Sequence, residues 1–97
     1  MKPKFNNPRY CTKGISENVP IELQMILWSQ IDSLEVEKDY LQVFTLTAED
    51  EKQVIEHHQE FPEYRRKSGY SSDNPITAKI FVIDDETHST MLLAEEY

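Results

Sequence analysis

The sequence predicts an α+β domain: an antiparallel sheet of about five to six strands, one main helix packed on one face, and a C-terminal β-hairpin. Three observations carry this. Ile80 to Ile83 is an unbroken apolar run that stops at Asp84-Asp85, and a second apolar run follows from Thr90 to Ala94. That pattern reads as buried strand, turn and returning strand. Residues 20–34 place Leu23, Ile26, Leu27, Ile31 and Leu34 three and four apart, the spacing of one helical face. Finally, 97 residues with 38% hydrophobic and 10% aromatic side chains suit a single globular domain over 1–97.

The elements follow in chain order. Residues 1–8, with Pro3, Asn6, Asn7 and Pro8, read as an irregular basic arm, frayed over an acidic body. Arg9 to Lys13 alternates and predicts a short strand ending at Gly14. Ser16 or Asn18 is placed to cap the helix, and Pro20 has the fixed φ suited to a first turn. The helix is expected from about Pro20 to Leu34. Tyr40 to Thr47, rich in β-branched and aromatic residues, predicts a strand. Ala48 to Glu60 admits two readings. Thr47 with Asp50 resembles a capping box, but Val54 and Ile55 are too few for a helical apolar face. An acidic hairpin loop and a polar strand from Gln53 to Glu60 are preferred. Phe61-Pro62 ends that strand, and Glu63 to Tyr70 alternates as an edge strand whose cations discourage stray pairing. Ser71 to Pro75 is a loop of turn formers. Ile80 to Ile83 lacks polar alternation, so a central strand covered on both faces is expected.

Charge narrows the function classes. The net charge is −8, which argues against nucleic-acid and anionic-membrane binding, since both need clustered cations. It leaves room for a basic protein partner. Residues 1–14 carry Lys2, Lys4, Arg9 and Lys13 and no acid, a net +4; the rest carry six basic and eighteen acidic side chains, a net −12. The one cysteine, Cys11, cannot close an internal disulfide and reads as an ordinary core or strand thiol. With no signal-peptide pattern or membrane-length apolar run, a cytoplasmic location is expected.

Arg9-Tyr10, Gly14-Ile15, Pro20 to Gln24 with Leu27-Trp28, Asp39 to Phe44, Pro62 to Tyr64, Ile80 to Asp85 and Ser89 to Ala94 together resemble a small family catalogued as "staphylococcal protein of unknown function" (domain of unknown function 960). The resemblance runs from about Arg9 to Tyr97. It implies an origin in low-GC Gram-positive bacteria (Firmicutes) or their mobile elements. It implies no catalytic residue.

Each candidate site also has a plainer structural reading. Asp84, Asp85 and His88 form the best chemical cluster: two carboxylates after a core strand can hold a divalent cation, with His88 as third ligand or base. Local backbone hydrogen bonding is the plainer account of two Asp residues in a turn. His57 and His58 are adjacent, so on a strand they face opposite ways and cannot share an ion; they read as surface or half-buried structural residues. Two glycines in the chain exclude Gly-rich phosphate loops, and no cofactor is expected. Arg65-Arg66-Lys67 between Tyr64 and Tyr70 reads as edge protection before it reads as an anion site. The second helical stripe, Ile21, Met25 and Trp28, is the strongest interaction signal. One sheet cannot cover both stripes of a helix, so either the arm covers this one or a partner does.

The reading is a non-enzymatic, cytoplasmic protein that binds another protein, or itself as a homodimer, through Ile21, Met25 and Trp28. The alternatives are a divalent-metal hydrolase at Asp84, Asp85 and His88, and an acidic nucleic-acid mimic that binds a basic protein.

Overall fold

The computed structural model describes residues 3–97; Met1 and Lys2 of the predicted arm lie outside them. The elements are β1 (Arg9–Cys11), α1 (Lys13–Asn18), α2 (Ile21–Asp32), β2 (Leu41–Glu49), β3 (Lys52–Gln59), β4 (Tyr64–Ser71), β5 (Ala78–Asp84), β6 (Ser89–Leu93) and a closing 3-10 turn, Ala94–Glu96. The six strands form one sheet in the order β1-β6-β5-β2-β3-β4. The expected α+β architecture is the observed one.

The core lies between α2 and one face of the sheet. Leu23, Leu27 and Ile31 of α2 are buried with Phe44, Leu46, Ile55, Ile80, Val82, Met91 and Leu93. These strand residues are cross-strand neighbours: Phe44 faces Ile80, Leu46 faces Ile55, and Val82 faces Met91. Burying each such side chain contributes about 1.5–3 kcal/mol.

Several expectations need correction. The first strand ends at Cys11 rather than Lys13, and Lys13–Asn18 forms a separate helix, α1. Thr12 is its cap, its hydroxyl accepting from the Ile15 N–H at 3.4 Å; Ser16 and Asn18 cap nothing, and Pro20 takes the N-cap position of α2. The Glu96 carboxylate explains why this turn stays helical. It accepts from the Thr12 hydroxyl (2.6 Å) and the Gly14 N–H (3.2 Å), so a distant side chain satisfies donors that a free helix start leaves open. Helix α2 ends at Asp32, two residues early. The sheet is not wholly antiparallel, because β1 pairs parallel with β6. Ile80 and Val82 are fully buried, but Phe81 and Ile83 are only half-buried. Their face takes Tyr97 edge-on to Phe81 at 5.7 Å and no helix among the described residues. Cys11 is exposed.

The arm is not frayed within the described residues. Phe5 is fully buried in the core, at a φ of 57°. The Asp84 carboxylate holds it there, accepting from the backbone N–H of Lys4 (3.2 Å) and Phe5 (3.0 Å) and from Asn7 Nδ2 (2.9 Å).

Candidate interaction surface

Helix α2 crosses the sheet with two distinct flanks. On one flank Gln30 Nε2 donates to Ser68 Oγ of β4 at 3.3 Å. On the other, Arg9 of β1 pairs with Asp32 and its guanidinium lies over the Trp28 ring, 4.6 Å from the centroid. The predicted stripe therefore splits. Trp28 is half-buried against the core and covered by Arg9. Ile21 and Met25 stay 61% and 64% exposed. They lie i, i+4 on one helical face, and nothing in the described residues covers them.

Asp84, Asp85 and His88 occupy one turn, but both carboxylates are engaged by backbone amides, Asp84 buried and Asp85 exposed. Asp84 Oδ1 also accepts from the Glu86 N–H at 2.8 Å. Burial pushes the Asp84 carboxyl up; the hydrogen bonds from Asn7 and from the N–H groups of Glu86, Phe5 and Lys4 outweigh it and hold the carboxyl below its ordinary range. Asp85 Oδ1 accepts from the N–H groups of Thr87 and His88, both at 3.0 Å, and from the Thr87 hydroxyl. These bonds, led by the His88 N–H, lower its pKa. His88 Nε2 sits 3.3 Å from Asp85 Oδ2, and Tyr10 lies against the imidazole ring. Among the described residues no three His, Cys, Asp or Glu side chains are grouped to hold a metal ion.

The sequence reading missed a polar chain inside the core. Strand β3 buries Gln53, Ile55, His57 and Gln59 on its α2 side. His57 is fully buried, not half-exposed, stacked on Phe44 with centroids 4.3 Å apart. Its Nε2 lies 2.6 Å from Gln42 Oε1, an acceptor, so Nε2 carries the proton. Gln42 Nε2 donates onward to Gln59 Oε1 at 2.6 Å. Gln59 Nε2 donates to the Glu37 and Pro62 carbonyls. The chain ties the core to the loops on either side of β2 and β3. Nδ1 of His57 has no hydrogen-bond partner among the described residues, and burial, with His58 and Arg66 nearby, lowers the pKa to about 4. The alternation Gln53, Ile55, His57, Gln59 was visible, but polar residues on a strand ordinarily mark its solvent side. Where those loops meet the turn of residues 84–86, a cleft of about 480 Å³ opens, walled by Tyr40, Phe61 and acidic side chains.

The comparison that decides kinship covers residues 8–96, which match the family described as "Staphylococcal protein of unknown function". The chain belongs to that family. A crystal structure of a protein of unknown function from Enterococcus faecalis is similar, with a TM-score of 0.86 and 24% identity over 100% of this chain and 98% of that one. At that identity the likeness speaks to the fold of this family member. No curated protein matches the chain. No helix among the described residues is long and apolar enough to cross a membrane.

Proposed function

We propose that this family member is a non-enzymatic binding protein whose contact surface centres on Ile21 and Met25 of α2, acting in the cytoplasm of a Gram-positive bacterium. The supporting observation is the exposure of those two side chains, 61% and 64%, on a helix whose opposite stripe fills the core. Met adapts its shape to a partner, and apolar helix positions at i, i+4 suit docking of a complementary apolar surface. Trp28 is a rim residue that Arg9 keeps in place. Two side chains expose on the order of 200 Å², well under the ~800 Å² per partner of a standard stable interface, which favours a transient contact with another protein over a permanent α2-to-α2 dimer. The metal-hydrolase reading has less support, since both Asp84 oxygens are occupied by donors. The test is capture of binding proteins from a bacterial lysate on wild-type protein and on Ile21→Glu/Met25→Glu. The expected result is a species retained by the first and lost with the second; equal capture by both contradicts the proposal.

A further inference from the structure

Strand β4 ends the sheet, and no strand among the described residues pairs its outer side. Which of its backbone groups face outward follows from the β2–β3 hairpin. Asp50 and Glu51 form a two-residue turn at φ 46° and 60°, closed by the pair Glu49 and Lys52. Such a closing pair is hydrogen-bonded, and hydrogen-bonded pairs then recur at every second residue. Lys52, Val54, Glu56 and His58 therefore address β2, while Gln53, Ile55, His57 and Gln59 address β4. The Ser72 N–H to Glu51 O bond of 2.9 Å continues the same phase. On β4, residues 64, 66, 68 and 70 thus bond inward, and Arg65, Lys67, Gly69 and Ser71 present N–H and C=O to the edge.

This edge carries Arg65, Arg66 and Lys67, which at first sight bars self-pairing. Register decides the matter. Two copies related by a two-fold axis perpendicular to the sheet must pair residues whose numbers sum to an even value, so that faces match. Centring on Lys67 sets Lys67 against itself, a like-charge pair that is destabilising. Centring on Ser68 sets Lys67 against Gly69, Arg65 against Ser71 and Arg66 against Tyr70. The last pair lies on the α2 side, where Tyr70 is 38% exposed and shares a cleft with Glu22. Arg66 has no ion-pair partner among the described residues, and this register gives it an aromatic ring with a carboxylate beside it. The closest like charges are then the two Lys67 side chains on the diagonal, ~7 Å apart, each with Glu56 as its cross-strand neighbour.

We infer that a second copy of this chain adds to the β4 edge, antiparallel and centred on Ser68, to give a continuous twelve-stranded sheet. This surface is separate from the Ile21 and Met25 ridge, and either can fail without the other.

In this register Ser68 faces Ser68 as a non-hydrogen-bonded pair with Cα atoms about 4.5 Å apart, inside the range that a disulfide spans. Residue 71 is displaced from its copy by about 20 Å. The experiment places Ser68→Cys or Ser71→Cys in a Cys11→Ser background, oxidises each, and follows dimer formation on non-reducing gels. Light scattering on the unmodified protein at about 100 μM, and on Lys67→Pro, accompanies it. Lys67 N–H points outward, so proline removes an edge donor without breaking β3–β4 pairing. Expected are a mass near twice 11.4 kDa for the unmodified protein, rapid cross-linking at 68 only, and a folded monomer for Lys67→Pro. A monomeric unmodified protein, or cross-linking at 68 no faster than at 71, overturns the inference.

Discussion

At the scale of single residues, two buried polar groups make this fold acid-sensitive in separable windows. His57 has a folded pKa near 4 against an ordinary 6.5, so the unfolded chain binds its proton first. The neutral form favours folding fully above pH 6.5, and that contribution falls as pH drops from 6.5 toward 4, by at most ~1.4 kcal/mol per pH unit. The nearby positive charges of His58, on the opposite face of β3, and of Arg66 reinforce the direction. Asp84 acts lower: its pKa lies below the ordinary 3.8, so its contribution is present above 3.8 and is lost as pH falls through the folded value. Urea titrations at pH 7, 5.5 and 4.5 are expected to show a steady loss of stability that His57→Gln flattens. Asp84→Asn at pH 7 is expected to cost about 2–3 kcal/mol, the range for charge-assisted hydrogen bonds left unmade. The two cases differ in legibility. Asp84 was flagged from its place after an apolar strand and turned out to anchor the arm by backbone hydrogen bonds. His57 was not flagged as buried, because its burial depends on Gln42 and Gln59, which lie fifteen residues away and two residues on.

At the scale of elements, short segments are held by distant partners. Phe5 fills the core where Asp84 holds its N–H and Arg9 its carbonyl, and Phe5→Ala is expected to cost about 3–5 kcal/mol in chemical denaturation, as for other buried Phe truncations. The Asp50-Glu51 turn holds a β-carbon at positive φ at both positions. Glu51→Gly removes that strain and is expected to raise stability by about 1 kcal/mol. Arg9 links β1 to α2 through Trp28 and Asp32. Arg9→Ala is expected to shift the fluorescence of this single tryptophan to longer wavelength, and an unchanged spectrum contradicts the packing. Strands were readable from sequence on different signals: β-branched and aromatic content for 41–49, the lack of a helical apolar face for 52–59 and alternation for 64–71. The preferred hairpin over 48–60 is the observed one. Helix α1 was unreadable, because Thr12 and Gly14 are held by Glu96, and no local window contains both ends of that contact.

At the scale of the whole molecule, the chain is acidic yet places a run of three cations, Arg65 to Lys67, on the β4 strand and its most exposed helical apolar residues on the far flank of α2. The two proposed surfaces are separate: the β4 edge is assigned to a second copy, and Ile21 with Met25 to another protein. Sequence located the helix stripe but could not show that Arg9 would cap Trp28 and leave only two of its three residues free. Since Ile21 and Met25 are more than half exposed, Ile21→Glu/Met25→Glu is expected to change folding stability by no more than about 1 kcal/mol, which makes it a clean probe of binding. The most direct measurement is therefore photo-cross-linking in bacterial lysate, with a photoreactive residue at position 25 and, as control, at exposed Glu17. The account predicts a discrete adduct at 25 that is absent at 17, persists with Lys67→Pro and disappears with Ile21→Glu. The same adducts at both positions, or none at 25, would contradict it.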